Sequence, residues 1–300
     1  MDQQAPVRPQ EQHRLRHRRS LEASRRPGEG GRRILTYLAL LVLFTGLSLA
    51  LVAVFGSEQA AGGFVGTLVM WSPGVAALVT VFSFQRNLKG MGWRPGKPRY
   101  LLLGYGLPLV DATLVYGAVW LLGFGALRGH PLGVAEAVVA VTPGVLAGAL
   151  GGLGEEIGWR GLLVPELARL TTFTRTALIS GVIWAVWHWP FVLFAGYNSG
   201  APLGFTLSVF TLNVLLGSFA LAWLRLRSGS LWPAVLAHTS WNLYLQSVFD
   251  PLTRDTGATE YIAGEFGVAF GLTGAIYAYV FWRLGQRLPE AAPAPELPTS

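Results

Sequence analysis

The sequence predicts an all-α, polytopic integral membrane bundle of about eight transmembrane helices. The chain is 52% hydrophobic with only 13% charged residues, at a mean hydropathy of +0.44. That balance exceeds what a water-exposed surface tolerates. The apolar runs are continuous rather than alternating, which argues against a transmembrane barrel. All Lys and Arg residues but Arg160 lie in the tails, in the connections or at the edge of a run, as they do in membrane proteins.

The first 33 residues carry nine of the 23 Lys and Arg residues and no aromatic side chain. This stretch reads as a disordered cytoplasmic tail beside anionic lipid and not as a nucleic-acid-binding arm. The apolar run that follows, 34–55, is 22 residues long. That is too long for the ~7–15-residue core of a cleaved signal peptide. A bilayer core of ~30 Å takes about 20 helical residues. On that measure the further spans are 64–84, 100–124, 135–163, 175–195, 203–224, 231–249 and 261–282. Residues 34–134 form the N-terminal helices, 135–250 the core, 251–288 the last helix and 289–300 a Pro/Ala-rich disordered tail.

Placing the N-terminus inside puts 20 of the 23 basic residues on the cytoplasmic side and only Arg128 and Arg254 outside. Both termini are therefore expected in the cytoplasm. With no cysteine in the chain, disulfides, thiolate metal sites and cysteine nucleophiles are excluded.

Ionisable side chains inside a bilayer cost ~2.5–3.5 kcal/mol each, so they persist where a partner or a task compensates. Here they cluster. The stretch "GGLGEEIGWRGLL" holds Glu155, Glu156 and Arg160; "SGVIWAVWHWP" holds His188; "LWPAVLAHTSWN" holds His238 and Asn242. Glu156 and Arg160 are four apart, acid first, the favourable order for a helical ion pair. Glu155 is turned ~100° away. His238 and Asn242 share a helix face. A rise of ~1.5 Å per residue brings these groups to similar depth, about 11–20 Å from the cytoplasmic helix ends. Glycines 148, 151, 152, 154, 158 and 161 are expected to let neighbouring backbones approach the acidic helix. Trp159, Trp184, Trp187, Trp189 and Trp241 are read as walls around the site, Asp111 as a helix-pairing residue, and Asn213 and Gln246 as interhelical contacts. Glu136 and Glu265 are placed near helix ends, within reach of water.

"EEIGWRG", "WAVWH" and "HTSWN" resemble, in order, the EExxxR, FxxxH and HxxxN motifs of the intramembrane endopeptidases that include the CAAX prenyl proteases and the bacteriocin-processing proteins, the CPBP family. "GMGWRPGKPRYLLLGY" (90–105) is similar to the inner loop preceding that family's core. The resemblance implies a cleft-like or conical cavity open toward the cytoplasm. It makes Glu155 the general base that activates water, with His188 its partner on that water. His238 and Asn242 would stabilise the oxyanion, and Glu156 with Arg160 would hold the motif helix. Trp184 departs from the family's Phe.

The residue chemistry agrees with these roles, since amide hydrolysis needs a base for the water proton and donors aimed at the oxyanion. Glu155, His188 and His238 are also a donor set of the kind that binds Zn2+ with a water in the fourth position. HExxH is absent, and water activated without metal is the favoured reading. The expected partners are membrane lipid and a peptide or protein substrate, lipidated or not, with no nucleic acid. Two other classes stay open. A proton- or ion-coupled transporter also uses Glu and His chains, although inverted repeats are absent. A non-catalytic scaffold or immunity protein would keep the fold alone.

Overall fold

A computed structural model describes residues 28–55, 64–128 and 148–289. Most of the basic tail, His130, Glu136, the first part of the fourth predicted span and the tail from 290 lie outside the described residues. The protein is an all-α membrane bundle. Its helices are α1 (Glu29–Phe55), α2 (Phe64–Gln85), α3 (Pro98–Leu121), α4 (148–170), α5 (Phe173–Phe194), α6 (Leu203–Ser228), α7 (Trp232–Asn242), α8 (Thr259–Ile262) and α9 (Val268–Gly285). Among the described residues, six of these (α1, α2, α3, α5, α6 and α9) are long and apolar enough to cross a membrane.

The other two large elements differ. α4 opens into a π-helical turn over Ile157–Leu163 before closing again as an α-helix over Val164–Leu170. α7 has only 11 residues and runs directly into a second π turn, Leu243–Phe249, and then into Asp250–Leu252. The predicted span 231–249 is therefore half α-helix and half wide turn, not one plain helix.

Each π turn is followed two residues later by a proline, Pro165 and Pro251. Proline has no N–H to donate, and its ring crowds the carbonyl four residues back. Widening the turn relieves that clash, as it does at other interruptions of transmembrane helices. It leaves carbonyls to be satisfied from outside the helix, because lipid supplies no donor. The carbonyl of Arg160, five residues before Pro165, accepts from Arg225 Nε of α6 at 2.7 Å.

Arg225 thus corrects its expected place among the loop charges: it is 6% exposed, and its Nη2 also donates to the Gly90 carbonyl at 2.8 Å. Arg33, assigned to the tail, is likewise buried in α1. It donates to Gln85 Oε1 at 3.1 Å and lies 3.5 Å from Glu166, which brings the helix start to Glu29. At the other end of the chain α9 begins at Val268, after a short antiparallel pair, β1 (Ala126–Leu127) with β2 (Thr253–Arg254), in register Ala126 to Arg254.

α2 packs on α1 and on the first π turn, while α3 packs on α7 and α6 on both α5 and α9. The acidic helix sits deep among them because glycine removes side chains where backbones meet. A Cβ on Gly158 would lie 2.6 Å from Pro73 Cβ, and one on Gly152 would lie 3.6 Å from His238 Cβ. The expected close approach is present on both sides of α4. The loop 86–97 is pinned beneath the site by Arg225, by Leu231 N donating to the Gly92 carbonyl at 2.8 Å and by Trp232 Nε1 donating to the Trp93 carbonyl at 2.7 Å.

Candidate active site

The last α-helical residues of α4 present two adjacent carboxylates to different neighbours. Glu156 is 0% exposed and Arg160 1% exposed. Arg160 Nη1 donates to Glu156 Oε1 at 2.7 Å, the expected ion pair. The same oxygen lies 2.9 Å from His238 Nδ1. Because a carboxylate oxygen accepts, Nδ1 carries the hydrogen and Nε2 points away from Glu156. Glu156 therefore fixes the ring of His238 as well as the motif helix.

His238 Nε2 is 3.8 Å from Oε1 of Glu155, which is 3% exposed. The other oxygen of Glu155, Oε2, accepts from Trp184 Nε1 at 2.9 Å and from Trp159 Nε1 at 3.2 Å. On α5, His188 Nδ1 lies 2.9 Å from the Trp184 carbonyl. A carbonyl accepts only, so this ring also carries its hydrogen on Nδ1 and leaves Nε2 with a free lone pair. Ser180, on the same helix, donates to the Ala177 carbonyl at 3.2 Å and is thereby engaged in its own helix.

Glu155, His188, His238 and Asn242 all line one cavity of about 370 Å³. Helices α4, α5 and α7 thus deliver the four sequence-predicted groups to a common space. Its remaining walls are largely apolar, among them Val52, Leu107, Phe191, Val214 and Phe270. A wall of this kind suits an extended apolar or amphipathic ligand. Among the described residues no three His, Asp or Glu side chains converge to hold a metal ion. Glu155, His188 and His238 do not form a ready-made zinc site in this arrangement.

Two residues outside the motifs join the cavity. Asp111, read as a helix-pairing residue, is 4% exposed, meets Thr273 of α9 as that reading expects, and also lines the cavity. Glu265, placed at a helix end in water, also lines the cavity and accepts from Gln246 Nε2 at 3.2 Å. Asn213 behaves as read, since its Nδ2 donates to the carbonyls of Glu265 and Gly267 at 3.0 and 3.1 Å. Of the tryptophans read as walls, Trp184, Trp187 and Trp241 line the cavity and Trp159 and Trp189 do not; the roles of Trp159 and Trp184 as donors to Glu155 lie beyond that reading. The spacing of Trp159, four residues after Glu155, carried a signal for its contact. Nothing in the sequence carried one for Trp184.

Residues 137–244 match the family model described as type II CAAX prenyl endopeptidase Rce1-like. The matched region contains all three motifs, and the family is the one they resemble. Comparison with curated proteins found no match. The family match supports a membrane-embedded endopeptidase of CAAX type in general, acting on a peptide or protein.

Proposed function

We propose that this membrane-embedded chain of CAAX-endopeptidase type cleaves its substrate with a water molecule held between Glu155 and His188, beside an oxyanion site made by His238 and Asn242. One observation carries the reading: Glu155 Oε1 and His238 Nε2 face each other at 3.8 Å in a cavity that His188 and Asn242 also line. Glu155 takes one proton from water as the oxygen bonds to the peptide carbonyl carbon. The free lone pair of His188 Nε2 accepts the water's other hydrogen and orients it. His238 Nε2–H and the Asn242 amide donate to the oxyanion. Collapse of the tetrahedral intermediate breaks the C–N bond, and Glu155 returns its proton to the leaving amine. The products are a carboxylic acid and an amine.

To donate from Nε2 while Nδ1 donates to Glu156, His238 holds protons on both nitrogens. His238 and Arg160 then balance Glu155 and Glu156, so the group carries no net charge into the bilayer. The largely apolar cavity favours a lipidated or amphipathic segment entering from the membrane. Cleavage of soluble, unlipidated peptides only, by the purified protein, would count against that substrate class.

Replacing Glu155 by Gln removes the base while keeping size and hydrogen-bonding capacity. Cleavage is expected to fall ~10²–10⁴-fold, the usual worth of a general base, with unchanged thermal unfolding in detergent. Comparing membrane and secreted peptides between wild type and this variant identifies the substrate. Normal biological function of the variant, with no peptide differing, would sink the proposal in favour of a scaffold. Gradient-dependent flux in proteoliposomes would favour a transporter.

Both termini are assigned to the cytoplasmic side on the basic-residue distribution, and the resemblance to the CPBP family would open the cavity on the same side. The absence of cysteine makes this easy to test. With single cysteines at Lys89 and Arg254, a membrane-impermeant maleimide should label intact cells at 254 and not at 89. The opposite pattern inverts the topology.

A further inference from the structure

We infer that Trp184, assisted by Trp159, is a positioning residue that holds one oxygen of Glu155 so that the other faces the reacting water. The inference rests on the proteolytic reading for its purpose, but not for its geometry. Both indole N–H groups converge on Oε2 of Glu155, at 2.9 Å from Trp184 and 3.2 Å from Trp159. An indole is a donor with no acceptor, so neither ring can take the proton that Glu155 handles or reverse its hydrogen bond. Oε1, on the side of His238 Nε2 at 3.8 Å, is left to work. The two tethers come from different helices, Trp159 one turn along α4 and Trp184 across from α5. Together they fix the carboxylate's rotation as well as its position, which is what a near-attack geometry requires.

Trp184 also touches the rest of the site. The guanidinium carbon of Arg160 lies 4.3 Å from its ring centroid. The rings of His238 and His188 lie 5.5 and 5.9 Å away, and the Trp184 carbonyl accepts from His188. A phenylalanine, the residue that the similar FxxxH motif carries, retains a ring beside these neighbours and the backbone carbonyl. What it lacks is the N–H that reaches Glu155. The departure from the motif therefore adds a specific hydrogen bond to the base.

The test uses the full-length protein in detergent micelles, labelled with ¹⁵N-tryptophan, and reads its 11 indole N–H resonances. W184F and W159F assign two of them. On Glu155→Gln these two should move upfield, as their charged acceptor becomes a neutral amide, while the others hold. In the cleavage assay, with the peptide identified by the wild-type and Glu155→Gln comparison, W184F should lower kcat ~10-fold, the worth of one hydrogen bond to a charged group, with KM changed less than ~2-fold. W159F should act in the same direction. Indole resonances indifferent to Glu155→Gln, or a W184F enzyme with wild-type kcat, would overturn the inference. If W184F does not fold, W159F and the Glu155→Gln spectrum decide it. If the wild type cleaves nothing, the proteolytic reading fails while the spectra still report whether the carboxylate is anchored.

Discussion

Proline is handled differently in α2, a helix outside the motifs, and in α4, which carries the first of them, while α5 keeps Pro190 within a plain α-helix as α2 keeps Pro73. In α2, Pro73 frees the carbonyl of Val69, and the adjacent Ser72 hydroxyl donates to that carbonyl at 2.8 Å. The repair is local, and the helix stays α-helical. In α4, Pro165 follows a seven-residue π turn, and the Arg160 carbonyl within it is satisfied from another helix by Arg225. The wide turn begins immediately after Glu155 and Glu156, and its counterpart in α7 begins immediately after Asn242. A helix repaired internally is an independent rod. A helix repaired by its neighbour has its geometry set by tertiary contact, and α4, repaired in this way, holds Glu155 and Glu156 within hydrogen-bonding reach of α5 and α7. Departures from α-helical geometry recur at functional sites for this reason.

The comparison breaks most visibly at the ion pair beside the first π turn. Arg160→Ala leaves Glu156 buried with only His238 beside it. It should cost about 3–5 kcal/mol of stability, as removing one partner of a buried pair does. Unfolding in mixed micelles measures it. A loss under 1 kcal/mol would mean that the pair reaches water. Next comes the clamp from α6. Arg225→Leu orphans the Arg160 carbonyl and should cost about 1.5–3 kcal/mol. Adding Pro165→Ala supplies an N–H five residues on from that carbonyl and should recover part of the loss. Strict additivity of the two changes would show that proline and arginine do not share the carbonyl.

A smaller effect is expected where the acidic helix meets α2. Gly158→Ala pushes a methyl to 2.6 Å from Pro73 Cβ and should destabilise by about 1–3 kcal/mol through overpacking. Its cleavage rate would fall with the displacement of Glu155. The plain helices supply the baseline. Leu102 of α3 is 72% exposed toward the lipid, and Leu102→Ala should stay within about 0.5 kcal/mol. A larger cost there would mean that this face is covered.

Much of the candidate site was legible. The acid-before-base spacing of Glu156 and Arg160 gave their pairing, and the helical rise brought Glu155, His188 and His238 to one depth. The glycines of "GGLGEEIGWRG" marked the helix that its neighbours approach closely. Other features were hidden because each depends on residues far apart in the chain. Arg225 looked like a loop charge because it stands near the end of an apolar run, and only the freed carbonyl of Arg160 explains its burial. Asp111 looked like a helix-pairing residue alone and Glu265 like a helix-end residue because neither lies in a motif, yet segments far apart in sequence bring both to the cavity. The pairing of Glu156 with His238 spans 82 residues, and that of Trp184 with Glu155 spans 29.

By itself the sequence determined that the chain enters the bilayer as helices and, for six of the eight segments it marked, which segments do so. Transfer from water to lipid sums over the residues of a segment, and every backbone group must be paired within it. It also determined which residue types are available for chemistry. Tertiary structure decided which oxygen of Glu155 is tethered and which is free, which carboxylate orients His238, and where a helix widens. Those outcomes depend on a donor and an acceptor meeting within about 3 Å, a distance fixed by how neighbouring helices pack.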